Sequence, residues 1–145
     1  MNNKNNIRLA TENRLQIARS RLACSYDKVK RLSAQFSLLD DDSLETWESF
    51  ASRFSRLTDI FLSRYLRVRI LEVEPAFRGT FRDAIDQAEK LSIVTNADKW
   101  FSIRELRNKA AHDYDDDDVE AFYRSILVET PFVMAELERV LAGRV

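Results

Sequence analysis

The chain has 145 residues, 45% hydrophobic and 32% charged, so it is long enough to bury a core and too apolar to be disordered. Only two glycines and two prolines occur, and a β-rich fold needs many tight turns, so this composition favours long helices. The net charge of -1 excludes a general attraction to nucleic acid, and the single cysteine excludes an internal disulfide.

The sequence carries no recognisable targeting or membrane signal. Residues 1–6 are polar, and we expect them to be disordered. No apolar stretch reaches about 18 residues, the length that a membrane span requires. We therefore expect one cytoplasmic domain over residues 1–145, without membrane association.

Two long amphipathic helices are predicted in the first half of the chain. Apolar residues recur at spacings of three and four over residues 7–36, which predicts one helix. Asp42, with Glu45 three residues later, has the form of a helix start, because both carboxylates can accept free N–H groups. The second helix should run over about residues 44–73. Its buried side is expected to carry Trp47, Phe50, Phe54, Leu57, Phe61, Tyr65 and Ile70.

The other faces of this second helix are basic. Acids are few there, chiefly Glu48 and Asp59. Two interpretations stay open: a solvated face whose charges pair with acids elsewhere, and a local phosphate-binding surface. The basic residues are Arg53, Arg56, Arg64, Arg67 and Arg69.

Three further helices are predicted in the second half of the chain. Pro75 ends the second helix, because proline offers no N–H. Residues 80–83 and 95–98 each have the form of a capping box that opens a helix. The last helix is expected over about residues 119–141, with Pro131 causing a kink or a break. The prediction is an all-α, up-down bundle of about five helices, the two long ones at its N-terminal end.

Four consecutive aspartates, residues 115–118, precede the last helix. Asp117 and Glu120 stand at capping spacing, so N-capping and solvation explain the run. A carboxylate metal site is the alternative.

The stretch with the most chemistry is residues 104–114, which contains the only histidine. On a wheel of about 100° per residue, Arg107 lies at the edge of the core stripe, about 20° from Trp100. A second line joins Arg104, Asn108 and His112 at four-residue intervals. The core stripe itself consists of Trp100, Ile103, Leu106 and Ala110.

Arg107 and His112 do not face the same point on a straight helix, since about 140° separates them. They converge if the helix unwinds near Asp113, or if two copies of the domain bring their motifs together, which we favour. A purely structural interpretation also exists, with Arg107 as an ion-pair partner and His112 as a C-terminal cap.

The pattern Arg107-Asn108-x-x-x-His112-x-Tyr114 resembles the HEPN superfamily, whose signature is an arginine followed, after a short spacer, by a histidine. The tyrosine two residues after the histidine is similar to the HepT-like toxins, which are encoded beside a minimal nucleotidyltransferase antitoxin. The resemblance is strongest over about residues 100–123. It implies a metal-independent endoribonuclease, active as a homodimer and without a cofactor, in a toxin-antitoxin system.

The implied reaction is internal cleavage of RNA, an mRNA or a tRNA, through attack by the 2′-hydroxyl. His112 takes the hydroxyl proton, and Arg107 stabilises charge on the five-coordinate phosphorus. Asn108 orients His112 or binds phosphate. Arg104 and Lys109 are candidate contacts to RNA phosphates.

The resemblance gives Tyr114 a separate role, as the side chain onto which the antitoxin places AMP. The added bulk and negative charge would keep RNA phosphates from the catalytic pair. A different observation favours an alternative function: the aspartates of residues 115–118 repel RNA. In that case the chain is a non-catalytic HEPN binding subunit of a two-component nucleotidyltransferase, or a structural dimer only.

Overall fold

The computed structural model describes residues 3–109 and 116–143, and in this part of the chain every regular element is a helix, as predicted. A short 3-10 turn, Phe36–Leu38, links the first two helices. None of the helices in the described ranges is long and apolar enough to cross a membrane. The five helices are α1 (Asn3–Val29), α2 (Asp41–Ile60, continued by a π-helical turn, Phe61–Tyr65, and by Leu66–Val73), α3 (Phe81–Lys90), α4 (Ala97–Lys109) and α5 (Asp116–Gly143).

Both ends of α1 differ from the prediction. Residues 3–6, expected to be disordered, form its first turn. The helix ends at Val29 rather than near Phe36, because the hydrogen bonds that follow span three residues instead of four. The Leu32 N–H, for example, donates to the Val29 carbonyl at 3.0 Å. Leu32 and Phe36 still pack against the core from the turns that follow, which is why the apolar spacing extended beyond the helix.

The cap of α2 lies two residues earlier than predicted. Asp40, not Asp42, caps the helix, because its Oδ1 accepts from the Ser43 N–H at 2.8 Å. This bond to Ser43 also lowers the pKa of the Asp40 carboxyl. The predicted buried side of α2 is confirmed, since the seven residues predicted to form it are all fully buried: Trp47, Phe50, Phe54, Leu57, Phe61, Tyr65 and Ile70.

The proline in α5 does not break the helix. The prediction allowed a kink or a break, but the chain stays helical from Asp116 to Gly143, through Pro131. The turn before the proline is closed by Thr130, whose buried hydroxyl donates to the Ile126 carbonyl at 2.6 Å. The capping box at residues 80–83 and the end of α2 before Pro75 are as predicted.

A buried carboxylate fastens the start of α4 to α5. Glu136 is only 4% exposed, and its Oε1 accepts from the Thr95 N–H at 2.9 Å and from the Trp100 Nε1–H at 3.1 Å. Its Oε2 accepts from Arg139 Nε at 3.2 Å. Burial alone would raise the pKa of Glu136, but these hydrogen bonds together lower it below its ordinary value.

Replacement of Glu136 by Gln should lower the free energy of unfolding by about 2–3 kcal/mol at neutral pH, because the charged acceptor of three hydrogen bonds is lost. Since the folded-state pKa is lowered, this contribution is present above the ordinary value of 4.5 and is lost as the pH falls through the folded-state value. Urea unfolding at pH 7 and at pH 3 should therefore show a smaller difference between the two proteins at pH 3.

Glu138→Gln is the matched control, since Glu138 lies on the same helix with its side chain 71% exposed. It should change stability by less than about 0.5 kcal/mol at either pH. Equal losses for the two variants would contradict the role assigned to Glu136.

Candidate functional site

The helix that carries the motif, α4, is capped one residue later than the sequence suggested. Asn96 is the cap, since its Oδ1 accepts from the Lys99 N–H at 3.0 Å. Thr95, the predicted cap, instead gives its N–H to Glu136. Thr95 and Asn96 are both residue types that cap helices, and the buried acceptor on α5 decides between them.

The rotation of α4 is fixed by Trp100 and Ile103, both fully buried. The Trp100 ring packs on Phe61 of α2, with ring centroids 4.6 Å apart, and on Phe132 of α5 at 5.5 Å. This confirms the predicted core stripe as far as Leu106, which is half-buried. Ala110, its last predicted member, lies outside the described residues.

Arg107 is held by a carboxylate on α2. Its Nε donates to Asp59 Oδ1 at 2.7 Å and its Nη2 to Asp59 Oδ2 at 2.8 Å, a two-bond, side-on arrangement. The side chains are 31% and 46% exposed, so water reaches the pair. Hydrogen bonding to Asp59 raises the pKa of Arg107, which stays a cation at every physiological pH.

The guanidinium of Arg107 borders a cavity of about 400 Å³ between α2 and α4. The two bonds to Asp59 use Nε and Nη2, so the Nη1 hydrogens lie outside this pair. The lining is mostly polar: Thr58, Asp59, Leu62, Ser63, Arg104, Arg107 and Asn108. Three of the predicted site residues, Arg104, Arg107 and Asn108, are therefore brought together.

Arg104 is oriented by an aromatic ring. Its guanidinium carbon lies 3.7 Å from the centroid of the Phe81 ring, at the start of α3. A cation so placed is attracted by the ring and keeps its charge. Two arginines and one aspartate then give this cavity a net positive charge.

Lys109 does not share that cavity. It lines a larger one of about 560 Å³, with Leu106 and with Phe122 of α5. The two residues predicted to contact RNA phosphates, Arg104 and Lys109, thus lie on different sides of α4.

The cavity beside Arg107 adjoins an irregular part of α2. In the π-helical turn Phe61–Tyr65 the Leu66 N–H donates to the Phe61 carbonyl, five residues earlier. Such turns are rare in proteins as a whole, but many of those that occur lie at functional sites. Leu62, inside the turn, is buried and lines the cavity, so the turn shapes its wall.

Two predicted site residues lie outside the described residues, namely His112 and Tyr114. The same holds for Asp113, where unwinding was considered, and for Asp115. Among the side chains that the structure describes, no group of three or more His, Cys, Asp or Glu could hold a metal ion. That Arg107 and His112 lie together at one site therefore stays a prediction.

Sequence reasoning missed the role of Asp59, which it counted only as an acid among arginines. A signal was available: Asp59 stands between the buried Thr58 and the half-buried Ile60, on a helix that carries five arginines. An acid at the edge of a buried stripe is placed to meet an arginine at the edge of another. The pairing itself needs the packing of α4 on α2, which the sequence does not give.

Comparison with known proteins found one partial similarity. No protein-family model matches the chain, and no solved structure matches it. Over 62 residues the chain is 29% identical to a protein of Haemophilus influenzae described as a probable ribonuclease HepT. That stretch is 41% of this chain and 42% of the relative, so the chain spans less than half the length of the curated relative it matches.

Proposed function

We propose that the chain is a HEPN-type endoribonuclease that cleaves RNA without a metal ion and is the toxin of a toxin-antitoxin pair. The observation that carries this proposal is Arg107, oriented by Asp59 beside Asn108 and Arg104 on the helix that leads into His112. The partial similarity to a probable ribonuclease HepT supports the same activity.

In this mechanism His112 takes the proton of a ribose 2′-hydroxyl. The 2′-oxygen attacks the adjacent phosphorus, and Arg107 stabilises the charge of the five-coordinate state. The bond from phosphorus to the 5′-oxygen breaks, and that oxygen takes a proton from water or from the partner subunit's His112. The products carry a 2′,3′-cyclic phosphate and a 5′-hydroxyl.

The bond from Asp59 gives Arg107 a fixed direction. A side-on pair uses one edge of the guanidinium, so a phosphate can be met by the Nη1 edge. Asp59 is therefore a positioning residue. Its negative charge also opposes phosphate binding, so removal of that charge should affect binding and catalysis in opposite directions.

A homodimer forms part of the proposal, because about 140° separates Arg107 and His112 on a straight helix. In a homodimer the motifs of two protomers can lie side by side, so that Arg107 of one protomer and the partner's His112 serve one site. The proposed antitoxin is a minimal nucleotidyltransferase that transfers AMP to Tyr114.

Arg107→Ala and His112→Ala should each reduce cleavage of a single-stranded RNA by about 100- to 1000-fold with EDTA present. Arg107→Lys should also be impaired, because lysine cannot form the two-bond pair. Gel analysis of end-labelled RNA measures the rates, and circular dichroism checks that the helices remain.

Arg124→Ala is the control, because Arg124 forms an exposed pair with Glu120 on α5. It should cleave like the unaltered protein. Full activity in His112→Ala would refute the mechanism. Absence of cleavage by the unaltered protein, with tight binding of a nucleotidyltransferase, would instead support the non-catalytic binding subunit.

Asp59→Asn should lower kcat by about tenfold or more, because Arg107 loses its direction, while KM for RNA stays constant or falls. The free energy of unfolding should change by no more than about 1 kcal/mol, since both side chains reach water. Steady-state kinetics and urea unfolding measure these quantities.

Asp59→Glu keeps the carboxylate and should recover part of the kcat. Glu120→Gln, which removes the acid from the exposed pair with Arg124, should leave the kinetics unchanged. A rise in KM at constant kcat in Asp59→Asn would assign Asp59 to RNA binding instead of positioning.

Co-expression with a nucleotidyltransferase encoded by the neighbouring gene should add one or more AMP groups to this protein. The Tyr114→Phe variant should receive none. Intact mass spectrometry measures the shift. Tyr26→Phe, at a half-buried tyrosine of α1, should retain the full shift. An AMP adduct that persists in Tyr114→Phe would refute this acceptor.

A further inference from the structure

A second basic cavity lies beside the first half of α2, before the π-helical turn, where this helix packs against α1. Its volume is about 260 Å³. No carboxylate is among its lining residues, which are Ala18, Arg21, Ser49, Ser52, Arg53 and Arg56. Arg21 and Arg56 are exposed, and the two serine hydroxyls can each donate a hydrogen bond.

Arg53 sits at the wall of this cavity in a fixed position. Its Nη1 donates to Ser25 Oγ at 2.7 Å and to the Arg21 carbonyl at 3.1 Å. Both acceptors are neutral, so these bonds orient the guanidinium without cancelling its charge. By contrast, Arg69 further along α2 is paired with Glu72.

The sequence left two interpretations of the arginines on α2, namely pairing with acids and phosphate binding. At Arg53 the contacts favour the second. A half-buried cation costs free energy unless an anion meets it, and a preformed cluster of donors binds an anion with little further ordering. We propose that this cavity binds backbone phosphates of a single-stranded nucleic acid.

The position of the cavity favours a strand over a single nucleotide. Ser52 also lines the 560 Å³ cavity, which reaches Lys109, the residue that follows Asn108 on α4. From Ser49 to Ser63, along which the three cavities lie, α2 extends about 21 Å. Several nucleotides can follow that length.

The 560 Å³ cavity adds an aromatic surface on which a base can stack. Phe122 lines it together with Lys109 and one carboxylate, that of Asp118. Bases of single strands stack on aromatic side chains while basic groups hold the phosphates. The strand is RNA if the ribonuclease activity proposed above holds, and the assignment to RNA rests on that proposal. Phosphate binding at the cavity does not need cleavage.

The test measures binding of a fluorescent RNA oligonucleotide with 2′-O-methyl sugars, which cannot be cut by 2′-hydroxyl attack. Arg21→Gln/Arg56→Gln should bind more weakly than the unaltered protein. Its plot of log affinity against log salt should be shallower by about 1.4, since each phosphate contact on a single strand contributes about 0.7. Fluorescence anisotropy from 50 to 200 mM salt gives both quantities.

The matched control is Arg31→Gln/Arg78→Gln, which removes the same charge at two exposed arginines that line none of the three cavities. It should leave the salt slope unchanged. Equal slopes for the two double variants would overturn the proposal. The proposal would also be overturned if Arg21→Gln/Arg56→Gln bound the oligonucleotide normally and lost binding only to AMP, to inorganic phosphate or to an acidic protein.

Failure of the ribonuclease proposal has a different signature. In that case unmodified RNA stays intact with every variant, while the 2′-O-methyl strand still separates Arg21→Gln/Arg56→Gln from its control. Failure of the present proposal alone leaves cleavage intact and the two double variants equal in KM for RNA.

Discussion

The burial of one indole, that of Trp100, sets the geometry on which the candidate site depends. Its ring is enclosed by Phe61 of α2 and Phe132 of α5, and its N–H ends on the buried Glu136. A fully buried indole with its donor satisfied fixes the rotation of α4 about its axis. Seven residues later, two helical turns on, the same face of α4 carries Arg107. The packing of Trp100 in the core therefore sets the side of α4 on which Arg107 lies.

Arginine plays two different parts along α2 and α4. At Arg107 a carboxylate takes up one edge of the guanidinium, and the pair is close to neutral. At Arg53 neutral oxygens give the same orientation and the charge remains. A protein with a net charge of -1 attracts a polyanion only through such local surpluses, so the acceptor bound to each arginine decides where positive charge remains for the proposed binding of RNA.

Much of the fold could be predicted from the sequence because its determinants are local. Helical spacing identified every fully buried residue named on α2, and Pro75 marked the end of that helix. Helix starts were placed less well at Asp40 and Asn96, since neighbouring residues are also of types that cap helices. At residues 95–96 a tertiary contact bears on the choice, because the Thr95 N–H donates to Glu136. The position of Arg107 at the edge of the core stripe could be read from the sequence, whereas its bond to Asp59 could not. That bond joins residues far apart in sequence, through packing that no local pattern encodes.

The π-helical turn has a consequence for the helical pattern of α2. One extra residue within a turn shifts the phase of all later residues by about 100°, so α2 consists of two segments whose helical phases differ. The first segment packs on α1, α4 and α5 and carries Asp59, while the second packs on α1 and α3 and carries Arg69, whose Nη1 donates to the Tyr65 hydroxyl. Both segments therefore contact α1. The residues of α2 that face α1 follow one helical pattern before the π-helical turn and a shifted pattern after it.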